Sequence, residues 1–139
     1  MEYGNEIWFV DDDRIFQFIV EKYLEGSAYD NQYKIFDDGD RTLLELIGRA
    51  KRGEKLPNII FLDLRMKYME GWETLDFLNE TAKTKVVILT SSLSLQDQKR
   101  AKQEPLVVDY LTKPIDKNQL LLCIRKHLNP KKVGSQVAG

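Results

Sequence analysis

The chain has 139 residues, of which 42% are hydrophobic and 31% charged, as in one ordinary globular domain. Its 21 Lys and Arg residues nearly balance 22 Asp and Glu residues, so no global field attracts nucleic acid or an anionic membrane. The longest apolar run, residues 120–124, is far shorter than the ~20 residues of a membrane-spanning helix, and the N-terminus does not resemble a signal peptide. We therefore expect a cytoplasmic protein with no nucleic-acid or membrane partner.

Short apolar runs rich in β-branched residues recur along the chain and predict strands. A continuous apolar run too short for an isolated helix fits a strand covered on both faces, as in a parallel sheet. The runs are Ile7–Val10, Ile59–Leu62, Val86–Leu89 and Leu106–Val108, the last continuing through Tyr110 and Leu111. A weaker run, Gln32–Phe36, alternates apolar and polar residues, so we expect it at an edge of the sheet.

Between these runs, apolar residues recur at helical spacing. The first helix is predicted from one apolar face, formed by Ile15, Phe16, Ile19, Val20, Tyr23 and Leu24. Further helices are predicted over Arg41–Lys51, Trp72–Leu78, Leu95–Gln103 and Leu120–Leu128, the fourth of the five helices being mostly polar and exposed. Strand and helix alternate five times, which predicts an α/β, flavodoxin-like doubly wound (βα)5 fold with a parallel five-stranded sheet in the order 2-1-3-4-5. We expect one domain over residues 1–129 and a polar C-terminal tail over 130–139.

Polar side chains follow four of the predicted strands, at the point where each strand ends. They are Asp11, Asp12 and Asp13 after the first strand, Asp63 after the third, Thr90, Ser91 and Ser92 after the fourth, and Lys113 after the fifth. The carboxyl ends of parallel strands share one rim, where doubly wound sheets bind ligands. Like charges ~4 Å apart repel by about 4 kcal/mol at an effective dielectric of 20, so these carboxylates need cations: Lys113 and, from the ligand type, Mg²⁺. A carboxylate nucleophile, Mg²⁺, a lysine and a hydroxyl are the parts required for phosphoryl transfer to aspartate.

Three other polar or reactive residues have structural interpretations. We interpret Asp13 as the cap of the first helix rather than as a metal ligand, because Asp after a strand is a common N-cap. The only histidine, His127, is predicted near the end of the last helix, away from the rim. Cys123 is the only cysteine, which excludes an intramolecular disulfide and favours a packing role.

Four segments in order give the chain a family resemblance that covers about Glu6–Leu128. They are Phe9-Val-Asp-Asp12, Ile60-Phe-Leu-Asp-Leu-Arg-Met66 with Gly71, Leu89-Thr-Ser91 and Tyr110-Leu-Thr-Lys-Pro114. With these segments the chain resembles the CheY-like receiver domain of two-component response regulators.

The resemblance implies that Asp63 accepts a phosphoryl group from a phosphohistidine on a histidine kinase or histidine phosphotransfer protein. Mg²⁺ would be held by Asp12 and Asp63, by the backbone carbonyl of Arg65 and, through water, by Asp11. The protein would then be a signalling phosphoacceptor rather than an enzyme.

The resemblance also assigns the groups around the phosphoryl oxygens. Thr90 would hydrogen-bond one oxygen, Lys113 would pair with another, and the backbone N–H of Ser91 would point into the site. The Lys113–Pro114 bond resembles one that is cis in the family.

A conformational switch is implied by the same contacts. Phosphate on Asp63 would draw Thr90 inward and let Tyr110 rotate from an exposed to a buried position. The surface of the fourth helix, fifth strand and fifth helix would change and signal to an unknown downstream protein. Because only a short tail is expected after the last helix, an effector, a relay intermediate and a phosphate sink remain equally open.

The chain departs from the family pattern at three positions. Lys67 replaces the Pro that usually follows Met66, so we expect a more mobile and more positive loop there. Arg65 and Ser92 each lie two residues after a site residue, and the resemblance implies that they tune the rate of phosphate loss, in a direction that the sequence leaves open.

Two other interpretations remain. Asp11-Asp-Asp13 also fits the Asp-x-Asp of haloacid-dehalogenase-type phosphatases, with Asp11 as nucleophile, but the later acidic motif of that class does not follow Lys113 and the Asp63 loop would have no role. The second alternative is a phosphorylation-independent receiver-like module that only binds partners, against which the intact Asp12, Asp63, Thr90 and Lys113 argue.

Overall fold

A computed structural model describes residues 5–67, 69–81 and 84–128. The strands are β1 (Ile7–Val10), β2 (Tyr33–Phe36), β3 (Ile59–Leu62), β4 (Lys85–Thr90) and β5 (Val107–Thr112). The helices are α1 (Arg14–Leu24), α2 (Gly39–Arg52), α3 (Gly71–Thr81), α4 (Leu95–Gln103) and α5 (Lys117–Leu128). Every predicted strand and helix is therefore present, and the predicted tail over 130–139 lies outside the described residues.

The five strands form one parallel sheet in the order β2-β1-β3-β4-β5, which confirms the predicted doubly wound topology. As expected from its alternating sequence, β2 lies at an edge. In the centre, Val10 of β1 pairs in register with Leu62 of β3. The residues that follow these two strands are consequently neighbours at the carboxyl end of the sheet.

The core lies on both faces of the sheet because successive side chains of a strand point in opposite directions. On one face Phe9 of β1 stacks on Phe61 of β3, with ring centroids 4.8 Å apart, beneath α1 and α5. On the other face Trp8 and Ile60 pack with apolar residues of α2 and α3. This two-sided burial explains why β1 and β3 are apolar at every position.

The prediction that Ile15 belongs to the buried face of α1 is wrong. The helix buries Phe16, Val20 and Leu24, which are four residues apart, whereas Ile15 is 74% exposed. One residue earlier corresponds to about 100° around the helix, which turns Ile15 away from the sheet. On α3, Phe77 lies within the predicted apolar stretch but is half exposed, because it precedes the buried Leu78 by one residue.

The interpretation of Asp13 as a helix cap is confirmed. Its Oδ1 accepts the backbone N–H groups of Ile15 at 2.9 Å and Phe16 at 3.3 Å, two donors that lack partners within the helix.

Among the described helices, none is long and apolar enough to cross a membrane.

Candidate functional site

Three carboxylates meet at the carboxyl end of the sheet. Asp11 and Asp12 follow β1, and Asp63 follows β3, the neighbouring strand in register. Each offers an oxygen, and these oxygens all lie within 4.8 Å of one another. Asp11 and Asp63 are buried, with 3% and 6% of their surface exposed, while Asp12 is half-buried. The structure thus brings together the aspartates that the sequence placed on one rim.

Lys113 supplies the positive charge of this cluster. From the end of β5 its Nζ donates to Asp11 Oδ2 at 2.6 Å and lies 3.6 Å from Asp63 Oδ2. The same Nζ lies over the ring of Phe16, 4.3 Å from the ring centroid. The backbone N–H of Lys113 donates to the carbonyl of Thr90, and the Lys113–Pro114 bond is cis. A single cation therefore neutralises part of the charge on two carboxylates at once.

The charged form of Asp11 is disfavoured in this site. The pKa of the Asp11 carboxyl is raised to about 6, chiefly by burial and to a smaller extent by the nearby Asp63. The hydrogen bond and charge of Lys113, with the backbone N–H of Asp13, lower the pKa but do not offset the burial. Even with Lys113 beside it, the Asp11 carboxylate is therefore less favourable in this site than in water.

The hydroxyl residues lie at the end of β4 and on the loop that follows it. Thr90 is fully buried and its Oγ1 accepts the N–H of Ser92 at 3.3 Å, whereas Ser91 is exposed. The Tyr110 hydroxyl donates to the carbonyl of Ser92 at 3.1 Å, which leaves this ring half-buried against the loop. Thr90 and Tyr110 are therefore connected through a single residue.

Comparison with known sequences identifies the family. A sequence model described as "Response regulator receiver domain" matches residues 7–125. The chain belongs to this family. Protein PilG of Pseudomonas aeruginosa is 31% identical over 129 residues, which cover 90% of this chain and 88% of PilG. The DNA-binding transcriptional regulator NtrC of Salmonella typhimurium is 24% identical over 123 residues, and the chain spans only 24% of its length.

Solved structures of receiver domains share the fold. The signal receiver domain of a putative Luxo repressor protein from Vibrio parahaemolyticus is 28% identical, covers 99% of both chains and superposes with a TM-score of 0.74. A CheY-like receiver domain protein from Methanospirillum hungatei is 21% identical, covers 95% of this chain and 99% of its own, and gives a TM-score of 0.76. The chain is thus a receiver domain of two-component signalling by sequence and by fold.

The acidic pocket of this receiver domain fits the Mg²⁺ that such domains typically bind. Its donors are the carboxylates of Asp11, Asp12 and Asp63, which are hard oxygen ligands of the kind Mg²⁺ prefers. The raised pKa of Asp11 indicates that the pocket favours additional positive charge.

Lys67 makes a contact that a proline at this position of the receiver domain could not make. Its backbone N–H donates to Asp12 Oδ2 at 2.7 Å, and proline has no N–H. The departure from the family pattern therefore joins the loop after β3 directly to a carboxylate of the acidic pocket.

Gly71 begins α3 at a point where the helix approaches the backbone after β3 too closely for a side chain. A Cβ on this residue would lie 2.3 Å from the backbone oxygen of Asp63 and 2.7 Å from Cα of Leu64. The N–H of Gly71 donates to the carbonyl of Leu64 at 3.1 Å. The close approach of α3 to this loop holds the backbone at Asp63 in place.

Sequence reasoning missed Asp97, which organises the surroundings of Arg65 and Ser92. This α4 residue accepts Arg65 Nη2 at 3.1 Å, Ser92 Oγ at 2.6 Å and Trp72 Nε1 at 2.9 Å. It is 8% exposed and its pKa is lowered, since these donors and Arg100 outweigh the effect of burial. Asp97 lies in a mostly polar helix, so composition gave no signal; only its spacing of three residues from the capping Ser94 could have suggested an inward position.

Proposed function

We propose that Asp63 accepts a phosphoryl group from a histidine kinase or histidine phosphotransfer protein in a Mg²⁺-dependent reaction in the cytoplasm. The observation that carries this proposal is the convergence of three carboxylates within 4.8 Å, with Lys113 contacting both Asp11 and Asp63. An Asp63 oxygen bonds to phosphorus while the bond from phosphorus to the histidine nitrogen breaks, and that nitrogen keeps the electron pair. Receiver domains interact with histidine kinases and downstream effectors, which supports this class of partner.

The residues around Asp63 have separate roles in the proposed transfer. Asp12, Asp63, the carbonyl of Arg65 and, through water, Asp11 would hold Mg²⁺, which would supply positive charge for the phosphoryl oxygens. Lys113 moves from its carboxylate partners to pair with one phosphoryl oxygen. Thr90 binds another through its hydroxyl, and the N–H of Ser91 faces the same group.

We propose that the α4-β5-α5 surface carries the signal. Support comes from a continuous series of contacts: Arg65, two residues after Asp63, bonds to Asp97 on α4, and Asp97 bonds to Ser92. The carbonyl of Ser92 in turn accepts the hydroxyl of Tyr110 on β5. Movement of Thr90 toward a phosphate would displace Ser92, whose N–H it accepts. The hydrogen bond from the Tyr110 hydroxyl to Ser92 would then break or shift, and the Tyr110 ring would move. We also propose that Arg65 and Ser92 tune the rate of phosphate loss.

Intact-mass measurement after incubation with acetyl phosphate tests the chemistry. We expect one phosphoryl adduct in the wild type with Mg²⁺ and none with EDTA. Asp63→Asn should abolish the adduct, whereas the matched control Asp40→Asn, which removes an exposed acid on α2, should retain it. Repeating the incubation with a phosphorylated histidine kinase domain covers acceptors that ignore small donors.

The same variants separate the alternatives. Loss of the adduct in Asp11→Asn with retention in Asp63→Asn would favour a haloacid-dehalogenase-type phosphatase with Asp11 as nucleophile. Against that alternative, Asp63 lies in the acidic pocket beside Asp11 and Asp12, whereas the alternative gives Asp63 no role. No adduct from either donor would favour a phosphorylation-independent binding module and contradict the proposal.

A further inference from the structure

A second cluster of metal-ligating side chains lies away from the acidic pocket, between β5 and α5. Cys123 and His127 are four residues apart on α5, which places them on one face of the helix. Asp109 projects from the neighbouring β5, and its Oδ2 lies 3.1 Å from His127 Nε2. The sulfur, the ring nitrogen and the carboxylate oxygen all lie within 4.8 Å of one another.

The hydrogen-bonded pair of Asp109 and His127 has the separation that two ligands of a tetrahedral site require. Bonds of about 2.0–2.1 Å from zinc to nitrogen or oxygen, at tetrahedral angles, separate two such ligands by about 3.3 Å. The observed 3.1 Å between Asp109 Oδ2 and His127 Nε2 is close to that separation. The Cys123 sulfur lies within 4.8 Å of both atoms and would have to close on them to complete a three-ligand set.

We propose that Asp109, Cys123 and His127 bind a transition-metal ion of the zinc class, with a water molecule as fourth ligand. A thiolate and an imidazole select Zn²⁺ or Co²⁺ over Mg²⁺, whereas the all-oxygen pocket at Asp63 has the opposite preference. The Asp109 side chain is 30% exposed and so provides the entry side for the ion and its water.

The surroundings hold the ligands in place and define the proton balance. Lys85 Nζ donates to the carbonyl of His127 at 2.9 Å, which fixes the last turn of α5 against β4. Without a metal, burial raises the pKa of the Cys123 thiol to about 12, with the charge of Asp109 adding to the rise and that of Lys126 opposing it. Binding therefore forms a metal–sulfur bond and releases the thiol proton to the buffer.

Cobalt spectroscopy tests the site directly, because the chain has only one cysteine and one histidine. Reduced, metal-free protein is titrated with Co²⁺ in excess Mg²⁺, which occupies the acidic pocket. We expect one Co²⁺ per chain, a thiolate-to-cobalt charge-transfer band, and a shift of the single set of histidine ring signals on addition of Zn²⁺. Absence of the band at saturating Co²⁺ would overturn the proposal without recourse to any variant.

Variants then assign the ligands. Cys123→Ser should abolish the band, and His127→Gln and Asp109→Asn should each weaken Zn²⁺ binding at least tenfold, while Asp63→Asn should leave it unchanged. Circular dichroism of each metal-free variant checks that it folds; if one does not, the wild-type spectra decide. Zinc binding that is lost in Asp63→Asn but kept in His127→Gln would show that the ion occupies the acidic pocket and refute the site.

Discussion

Replacing Asp11 by Asn measures the cost of burying one carboxylate in the acidic pocket. Asn has nearly the shape of a protonated Asp, so it keeps the side-chain oxygen that accepts the N–H of Asp13, while the charge and the oxygen that accepts Lys113 Nζ are lost. The Asp11 pKa rises from its ordinary 3.8 to about 6 on folding, mainly through burial. At about 1.4 kcal/mol per pKa unit, the ionised carboxylate destabilises the fold by up to about 3 kcal/mol.

The sign of the pH dependence follows from proton binding. Below pH about 4 both the folded and the unfolded state hold the proton, and Asp11 imposes no penalty. Between pH about 4 and 6 the folded state keeps the proton that the unfolded state has lost, so stability falls as the pH rises. Urea denaturation in EDTA at pH 4–8 should therefore show Asp11→Asn gaining up to about 3 kcal/mol over the wild type near pH 7, and little at pH 4.

A pH-independent difference between the two proteins, or a variant less stable near pH 7, would refute this reasoning. The latter result would mean that the ion pair of Asp11 with Lys113, 2.6 Å long, outweighs the cost of burial. Asp40→Asn, at an exposed position, is the matched control for the loss of one negative charge.

Three further substitutions test the loops around the pocket. Gly71→Ala places a Cβ against the backbone at Asp63, and we expect a loss of about 1–3 kcal/mol in urea denaturation together with slower phosphorylation by acetyl phosphate. Asp97→Ala leaves the partly buried donors of Trp72 and Ser92 unpaired, which should cost about 2–3 kcal/mol by the same assay and change the lifetime of the phosphorylated protein. Lys67→Pro removes the N–H that competes for an Asp12 oxygen, so calorimetry should find Mg²⁺ bound about two- to tenfold more tightly.

Each of the three substitutions has a result that would contradict its expectation, and two of them have a matched control. Unchanged stability and phosphorylation in Gly71→Ala would mean that α3 shifts freely. Asp76→Ala removes an acid from an exposed ion pair and should cost less than about 1 kcal/mol; an equal cost for Asp97→Ala would contradict its organising role. Lys67→Ala keeps the N–H and removes the ammonium, so equal Mg²⁺ affinity in Lys67→Ala and Lys67→Pro would assign the effect to side-chain charge.

The contacts of Lys67 and Asp97 mark where sequence reasoning reached its limit. The replacement of Pro by Lys67 predicted a looser loop, but pattern alone could not reveal that the added N–H reaches Asp12, 55 residues earlier. Asp97 accepts donors from two other segments, and such convergence depends on how α4 is turned against the sheet. Likewise the pairing of Asp109 with His127 requires the distance between β5 and α5, while the sequence suggested only a helix-end histidine.

By itself the sequence determined the alternation of strands and helices, the strand order and the rim on which Asp11, Asp12, Asp63 and Lys113 lie. The alternation and the rim follow from local periodicity and from the rule that parallel strands end at one edge, and the strand order follows from the flavodoxin-like fold that the alternation predicts. Only the tertiary structure decided that Ile15 is exposed and that Lys113 contacts two carboxylates. It also decided that Asp97 joins three segments. These outcomes depend on the rotation of each helix and the path of each loop, which are fixed by packing between residues far apart in the chain.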